Sequence, residues 1–163
     1  IDFPERVRSL TSIMSTTGNP KVGRPKPKIV WQFLRRKPVP ADEALEGAVD
    51  LFRQISGPTF DEEDFRVLAK ASLARSYRPA GTARQLAGII ASPDRTAGLR
   101  RVSVPTLVVH GTLDPLVRRS GGIATAEAVR GSRLVMFNDM GHDIPSTRCD
   151  EIAAEIRLIA DRA

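Results

Sequence analysis

Two residues carry the clearest chemical signal in this sequence. His142, one of only two histidines, lies in NDMGHDIP, directly after the apolar run RLVMF. Asp114 lies in HGTLDPLV, at the end of the apolar run VPTLVVHG. A carboxylate that accepts a hydrogen bond from one imidazole nitrogen fixes the tautomer and stabilises the imidazolium, so the other nitrogen can accept a proton. Together the two residues predict a general base that is oriented by an acid.

The elements around these residues explain how they could meet. Residues 104–111 and 133–137 are short apolar runs, typical of parallel strands buried on both faces. Residues 121–131 and 147–163 have helical spacing of apolar residues. Strand, helix, strand, helix at this spacing predicts a βαβα unit with adjacent parallel strands. Because the carboxyl ends of parallel strands share one sheet edge, Asp114 and His142 should lie on neighbouring loops.

Other residues near the pair are weaker candidates. Asp143 is a poor orienter of the His142 ring because adjacent side chains diverge in extended chain, and Asp139 is a less favoured alternative acid. His110 is interpreted as structural, fixing the loop that presents Asp114. The possible local nucleophiles are Ser120, Ser146 and Cys149. None of them lies on a strand-to-helix elbow.

The first 100 residues have a different pattern. Residues 6–14 predict a short strand. Residues 21–91 then read as a helical block in which no strand pattern occurs. The four helices are predicted at 27–36, 40–57, 59–76 and 81–92.

The combination of VPTLVVHGTLDPLV and MGHDIP resembles the C-terminal half of the α/β-hydrolases. More narrowly, it is similar to the esterase and lipase branch that includes aclacinomycin methylesterase. The resemblance implies an α/β fold class: the C-terminal part of an α/β-hydrolase fold, with three parallel strands, flanking helices and a helical cap insertion. It divides the chain into hydrolase core at 1–20, a cap or lid at 21–91, and hydrolase core with the acid and histidine loops at 92–163.

The same resemblance implies a serine carboxylic-ester hydrolase with a triad in chain order Ser, Asp, His. Asp114 matches the acid and His142 the base, whereas the G-x-S-x-G motif of the nucleophile is absent from these residues. We therefore expect a C-terminal fragment of an enzyme of roughly 260 to 300 residues, inactive alone and with its serine in the missing N-terminal half. No cofactor or metal is expected.

A cap would shape the pocket for a small-molecule ester. The predicted substrate-binding residues are Trp31, Phe33, Phe52 and Tyr77. The wider set of pocket or core candidates also includes Leu34, Phe60 and Phe65.

The sequence leaves two alternatives open. The first is other chemistry on the same fold, as in epoxide hydrolases, dehalogenases and cofactor-free haloperoxidases. The second is a non-catalytic, α/β-hydrolase-like binding protein. In either case the first strand should have an exposed edge, covered by the missing half of the fold, by a partner chain or by a second copy of this chain.

Composition limits the remaining classes of function. The net charge is +6, from 25 basic and 19 acidic residues, and residues 21–37 hold seven Lys or Arg and no acid. Aromatic residues make up only 5% and no nucleic-acid-binding motif occurs, so the basic stretch is interpreted as a solvated face without nucleic acid as partner. No apolar run approaches the ~20 residues of a membrane span. The compartment stays open, with the cytoplasm slightly favoured.

Overall fold

A computed structural model describes residues 1–35 and 39–163. Its centre is a three-stranded parallel sheet in the order β1, β2, β3. The strands are β1 (Leu10–Ile13), β2 (Thr106–Gly111) and β3 (Arg133–Phe137). Every residue of β2 is buried, as expected for a continuous apolar run in the middle of a sheet covered on both faces. The predicted three parallel strands with flanking helices are thereby confirmed. The prediction that β3 is buried on both faces is wrong: only Phe137 is buried and Arg133 is exposed, because β3 is the outer strand of the described sheet.

The register brings the carboxyl ends of β2 and β3 level. Leu107 lies opposite Arg133, and Gly111 lies opposite Phe137. The loops that follow the two strands therefore start side by side at the same sheet edge.

The first strand is shorter than the predicted range 6–14. A 3-10 turn at Pro4–Arg6 precedes it. Met14 has a φ of 46° in the left-handed region, which ends the extended conformation after Ile13. Among the described residues, β1 pairs only with β2.

Three of the described helices belong to the sheet region, and two of them make the main contacts with the strands. The short helix α5 (Thr96–Leu99) precedes β2, and α6 (Ser120–Ala128) forms the crossover between β2 and β3. Helix α7 (Cys149–Ala160) follows a 3-10 turn at Ser146–Arg148. Its buried apolar face joins one core cluster with the sheet, formed by Leu107, Val109, Phe137, Met140, Ile152 and Ile159.

Four helices precede this unit, and we call the described residues 27–35 and 39–91 the helical block. They are α1 (Pro27–Arg35), α2 (Ala44–Ile55), α3 (Glu62–Arg75) and α4 (Pro79–Ala91). Within the described part of this block no strand occurs, as the sequence predicts. The predicted last residue of the first helix, Arg36, lies outside the described residues.

Helices α2 and α3 form the tightest pair in the helical block. The turn between them contains Gly57 and Pro58, and the side chain of Asp61 caps α3 by accepting a hydrogen bond from the Asp64 amide at 3.0 Å. Across the pair, the rings of Phe52 and Phe65 are stacked with centroids 4.1 Å apart. An aromatic contact and a capped helix therefore define the hairpin.

Helix α4 differs from its neighbours. Each of its described residues is at least partly exposed, and Ile89 and Ile90 are 64% and 76% exposed. None of the described helices is long and apolar enough to cross a membrane.

Candidate active site

The loop after β2 holds the carboxylate of Asp114 in a fixed position. Asp114 Oδ1 accepts hydrogen bonds from the backbone amides of Leu116 and Val117, each at 2.8 Å. The Asp114 side chain is fully buried. A buried carboxylate is costly unless its oxygens are satisfied, and here the local turn satisfies one of them. The other oxygen, Oδ2, remains for a second partner.

That second partner is His142. Its Nδ1 lies 2.7 Å from Asp114 Oδ2. Because an ionised carboxylate only accepts hydrogen bonds, Nδ1 carries the proton and donates, which leaves Nε2 of the neutral ring as an acceptor. The His142 side chain is 26% exposed whereas that of Asp114 is fully buried. The pair therefore consists of a sheltered acid and a ring accessible from outside.

The other histidine supports the loop of Asp114. His110 is fully buried at the end of β2, and its Nε2 donates to the Val117 carbonyl at 2.7 Å. Its Nε2 is 3.8 Å from Asp114 Oδ2, too long for a hydrogen bond. The absence of a side chain at Gly122 makes room for the ring, because a Cβ there would be 2.5 Å from His110 Nδ1. This position agrees with the predicted structural role of His110.

The two loops touch through their backbones. A Cβ on Gly111 would lie 2.4 Å from the carbonyl oxygens of both Met140 and Gly141. The Leu113 amide also donates to the Met140 carbonyl at 3.0 Å. Glycine at position 111 therefore permits the close approach that lets Asp114 reach His142.

The other two acids of the histidine loop have different partners. Asp139 forms an ion pair with Arg148 at 2.7 Å, and this hydrogen bond lowers the pKa of Asp139. Asp143 is buried, and its Oδ1 accepts from the backbone amides of Gly57 at 3.0 Å and Gly141 at 3.1 Å. Burial raises the pKa of Asp143, against the lowering effect of those two amides. Neither carboxylate is hydrogen-bonded to the His142 ring among the described contacts.

A cavity of about 810 Å³ opens beside His142. Helices α2 and α3 form one wall, and the histidine loop with the start of α7 forms another. The apolar side chains of the lining include Phe52, Phe60, Phe65, Leu68, Leu73 and Ile144. The cavity therefore offers a largely apolar surface to a small molecule beside the His142 ring.

The predicted substrate-binding residues are divided by the structure. Phe52 lines this cavity, as do Phe60 and Phe65 from the wider set. Trp31 and Phe33 line a separate cleft between α1 and α2, and the Tyr77 hydroxyl donates to the Val39 carbonyl. The side chain of Leu34 lies outside the described part of the structure.

The local nucleophile candidates are also separated. Ser146 and Cys149 line the cavity, and the Cys149 thiol donates to the Pro145 carbonyl at 3.7 Å. Ser120 lies at the start of α6, where its hydroxyl accepts from the Gly23 amide at 3.0 Å. No cluster of three or more metal-ligating side chains occurs in residues 1–35 and 39–163.

Sequence reasoning missed two features of this site. One is the contribution of Leu68, Leu73 and Ile144 to the cavity, for which the sequence offers only helical periodicity and an apolar residue after GHD. The other is the contact between Asp143 and Gly57. Glycines at positions 57 and 141 are a weak signal of close backbone approach, but they do not identify each other as partners.

The fold recurs in solved structures. A bromoperoxidase from Bacillus anthracis matches with a TM-score of 0.69 at 16% identity, covering 96% of this chain and 59% of that chain. An esterase from Rhodococcus sp. ECU1013 matches with a TM-score of 0.67 at 21% identity, covering 95% of this chain and 56% of that chain. The chain folds as the C-terminal portion of an α/β-hydrolase.

Sequence comparisons agree with this α/β-hydrolase fold. A family model described as TAP-like protein matches residues 79–155. The chain is 28% identical to rhodomycin D methylesterase DauP of Streptomyces sp. (strain C5) and to rhodomycin D methylesterase DnrP of Streptomyces peucetius. Each match covers 96% of this chain and 59% of the relative, so the chain spans less than two thirds of the length of these relatives.

Proposed function

We propose that the protein is a serine-type carboxylic-ester hydrolase in which His142 is the general base and Asp114 orients it. The observation that carries the proposal is the 2.7 Å contact between His142 Nδ1 and Asp114 Oδ2, with Asp114 Oδ1 fixed by two backbone amides. Similarity to two methylesterases supports ester hydrolysis over the other chemistries that this fold carries.

In the proposed reaction, a serine hydroxyl attacks the ester carbonyl carbon while His142 Nε2 accepts its proton. The imidazolium, stabilised by Asp114, then protonates the leaving alkoxide as the carbon–oxygen bond breaks. Water repeats the cycle on the acyl-enzyme and releases the acid. We propose that the serine and the oxyanion-binding amides lie outside these 163 residues, in which no G-x-S-x-G motif occurs.

We propose a small ester with an apolar acyl or alcohol group as the substrate. The aromatic and aliphatic lining of the cavity from α2 and α3 supports this, as does its position beside His142. In this proposal the helical block is the cap that excludes water from the reacting carbonyl.

We also propose that another strand of the same protein, from outside these 163 residues, pairs with the free edge of β1. In the described residues β1 pairs on one side only. An unpaired strand edge exposes backbone donors and acceptors that favour pairing with another strand. This chain covers only 59% of the length of a methylesterase relative. That coverage supports a strand from elsewhere in the protein as the partner of β1.

The test compares the hydrolysis of p-nitrophenyl butyrate by the complete natural protein with its hydrolysis by the His142→Ala variant. We expect kcat to fall at least ~10³-fold in the variant, because the base is removed. Asp139→Asn is the matched control, because the Asp139 carboxylate lies on the same loop as His142 but pairs with Arg148. The activity of this variant should stay close to that of the wild type. Full activity in His142→Ala would refute the proposal.

A further inference from the structure

We propose that Asp143 is a positioning residue that fastens the α2–α3 turn, residues 55–57, to the loop of His142. In this arrangement the helical block is part of the support of the general base, in addition to covering the cavity. The inference deepens the proposed function and rests on it for the role of His142.

One carboxylate oxygen of Asp143 connects the two segments through hydrogen bonds. Asp143 Oδ1 accepts from the Gly57 amide at 3.0 Å and from the Gly141 amide at 3.1 Å. Asp143 is 7% exposed. The two donors belong to segments far apart in sequence, one in the helical block and one in the histidine loop. A single buried acceptor therefore links these two segments.

A second hydrogen bond acts directly on His142. Its backbone amide donates to the Ile55 carbonyl, the last residue of α2, at 2.7 Å. His142 is thus held at its ring by Asp114 and at its backbone by α2. A displacement of the turn would move the His142 backbone while Asp114 retains Nδ1, and the ring would rotate. The position of Nε2 therefore depends on where the turn lies.

The backbones of the two segments are in direct contact. A Cβ on Gly57 would lie 2.1 Å from the Asp139 carbonyl oxygen, and one on Gly141 would lie 2.3 Å from the Ile55 carbonyl oxygen. Glycine at both positions allows this approach. The Thr59 hydroxyl adds a further link, donating to the Asp139 carbonyl at 3.2 Å.

The chemical cost of the arrangement argues against simple space filling. A buried carboxylate loses hydration, and burial raises the pKa of Asp143. An apolar side chain could fill the space without that cost, but it could not accept hydrogen bonds from two backbone amides. The carboxylate is therefore suited to joining the segments.

The same helix also faces the cavity. Phe52 of α2 lines the cavity and stacks on Phe65 of α3. Phe52 lies within one turn of Ile55, whose carbonyl holds His142. A substrate that contacts the Phe52 ring therefore also contacts α2, the helix that positions His142. A substrate that fits badly against this ring should have a lower kcat as well as weaker binding.

The experiment uses the protein as its gene encodes it, labelled with ¹⁵N, and compares wild type with Asp143→Ala and Asp143→Asn. Three quantities are measured: amide hydrogen exchange at Gly57 and Gly141, the ¹⁵N signals of the His142 ring, and kcat and KM for p-nitrophenyl butyrate. Asp139→Asn is the control, because its carboxylate contacts neither amide in the described structure.

In Asp143→Ala both amides should exchange at least ~10-fold faster, since they lose their acceptor. The ring signals of His142 should shift, and kcat should fall about 10- to 100-fold with a much smaller change in KM, because the base is misplaced. Asp143→Asn keeps one acceptor oxygen and should restore kcat to within about threefold of wild type. The control should leave the exchange rates and ring signals unchanged.

Unchanged amide exchange and unchanged His142 signals in Asp143→Ala would overturn the inference, even if the protein is an esterase. Conversely, changed amide exchange and changed His142 ring signals in a protein that hydrolyses no ester would support the role of Asp143 and refute the proposed function. If Asp143→Ala does not fold, exchange in the wild type decides. The amides of Gly57, Gly141 and His142 should then open as one unit, and unrelated exchange rates would overturn the inference.

Discussion

The sheet region and the helical block are held together in different ways. In the sheet region, β2 is completely buried, backbone amides fix the Asp114 carboxylate, and that carboxylate fixes the His142 ring. In the helical block, Val67 and Leu68 of α3 are 65% and 69% exposed, and ion pairs on the surface connect α2 with α3. The pair of side chains with fixed geometry therefore lies in the first region. Most of the apolar side chains that line the cavity lie in the second.

The largest expected effect concerns the sheet region. Asp114→Asn keeps the shape of the side chain but permits the wrong tautomer of His142, so kcat for p-nitrophenyl butyrate should fall about 10⁴-fold with little change in KM. The cavity and its aromatic wall are not altered. A loss of less than tenfold would show that the fixed pair does not carry the chemistry.

A matched pair of leucines compares the stability of the two regions. Leu107→Ala removes a fully buried side chain from the core cluster and should lower the free energy of unfolding by about 2–5 kcal/mol. Leu68→Ala removes a side chain that is mostly exposed and should change it by less than about 0.5 kcal/mol. Urea unfolding of both variants measures the difference. Equal losses would mean that α3 is covered in the intact protein.

The contact between the two regions should depend on pH. The pKa of Asp143 in the folded protein is raised by burial above its ordinary value of about 3.9. Its contribution to stability is therefore fully present below that value and is lost as pH rises through the folded pKa. The neutral variant Asp143→Asn lacks this loss, so its free energy of unfolding should increase relative to wild type from pH 4 upward.

Urea unfolding at a series of pH values between 4 and 7 measures that difference for Asp143→Asn. The remaining titratable groups are shared by both proteins and largely cancel. A difference that stays constant, or that changes in the opposite direction, would contradict the raised pKa.

The smallest effect is expected on the surface of the helical block. Arg66 pairs with Glu46 and Glu62, and these contacts lower the pKa of both carboxylates. All three side chains are at least partly exposed, so solvent screens the ion pairs and Arg66→Ala should lower the melting temperature less than Leu107→Ala does. The remaining effect should disappear in high salt, which scanning calorimetry at two salt concentrations would measure. A large, salt-independent loss would place Arg66 among the buried contacts.

The two regions also differ in how well the sequence predicts them. Strands β2 and β3 follow directly from continuous apolar runs that end at turns, and the meeting of Asp114 with His142 follows from the parallel crossover. For the aromatic residues, helical spacing identifies an apolar face but not what that face contacts. Trp31 and Phe52 therefore looked equivalent in the sequence, yet they line different cavities.

The contact of Asp143 was hidden for another reason. The sequence presents Asp143 only as a possible partner of the neighbouring His142 ring, whereas in the structure Asp114 is the acid that contacts this ring. Its actual partner at Gly57 is 86 residues away. No local pattern in this single sequence specifies a pairing over that distance.

The backbone contact between residues 55–57 and the histidine loop has a practical consequence for chimeric proteins. Exchanging the helical block with that of a relative is an obvious route to altered specificity. A donor block should be selected for glycine at the position of Gly57 and for a carbonyl that reaches the amide of His142. Alternatively, residues 55–59 can be retained from the recipient, with separate junctions on each side of the turn. A donor chosen only for its pocket-lining side chains would introduce a misaligned imidazole along with the new pocket.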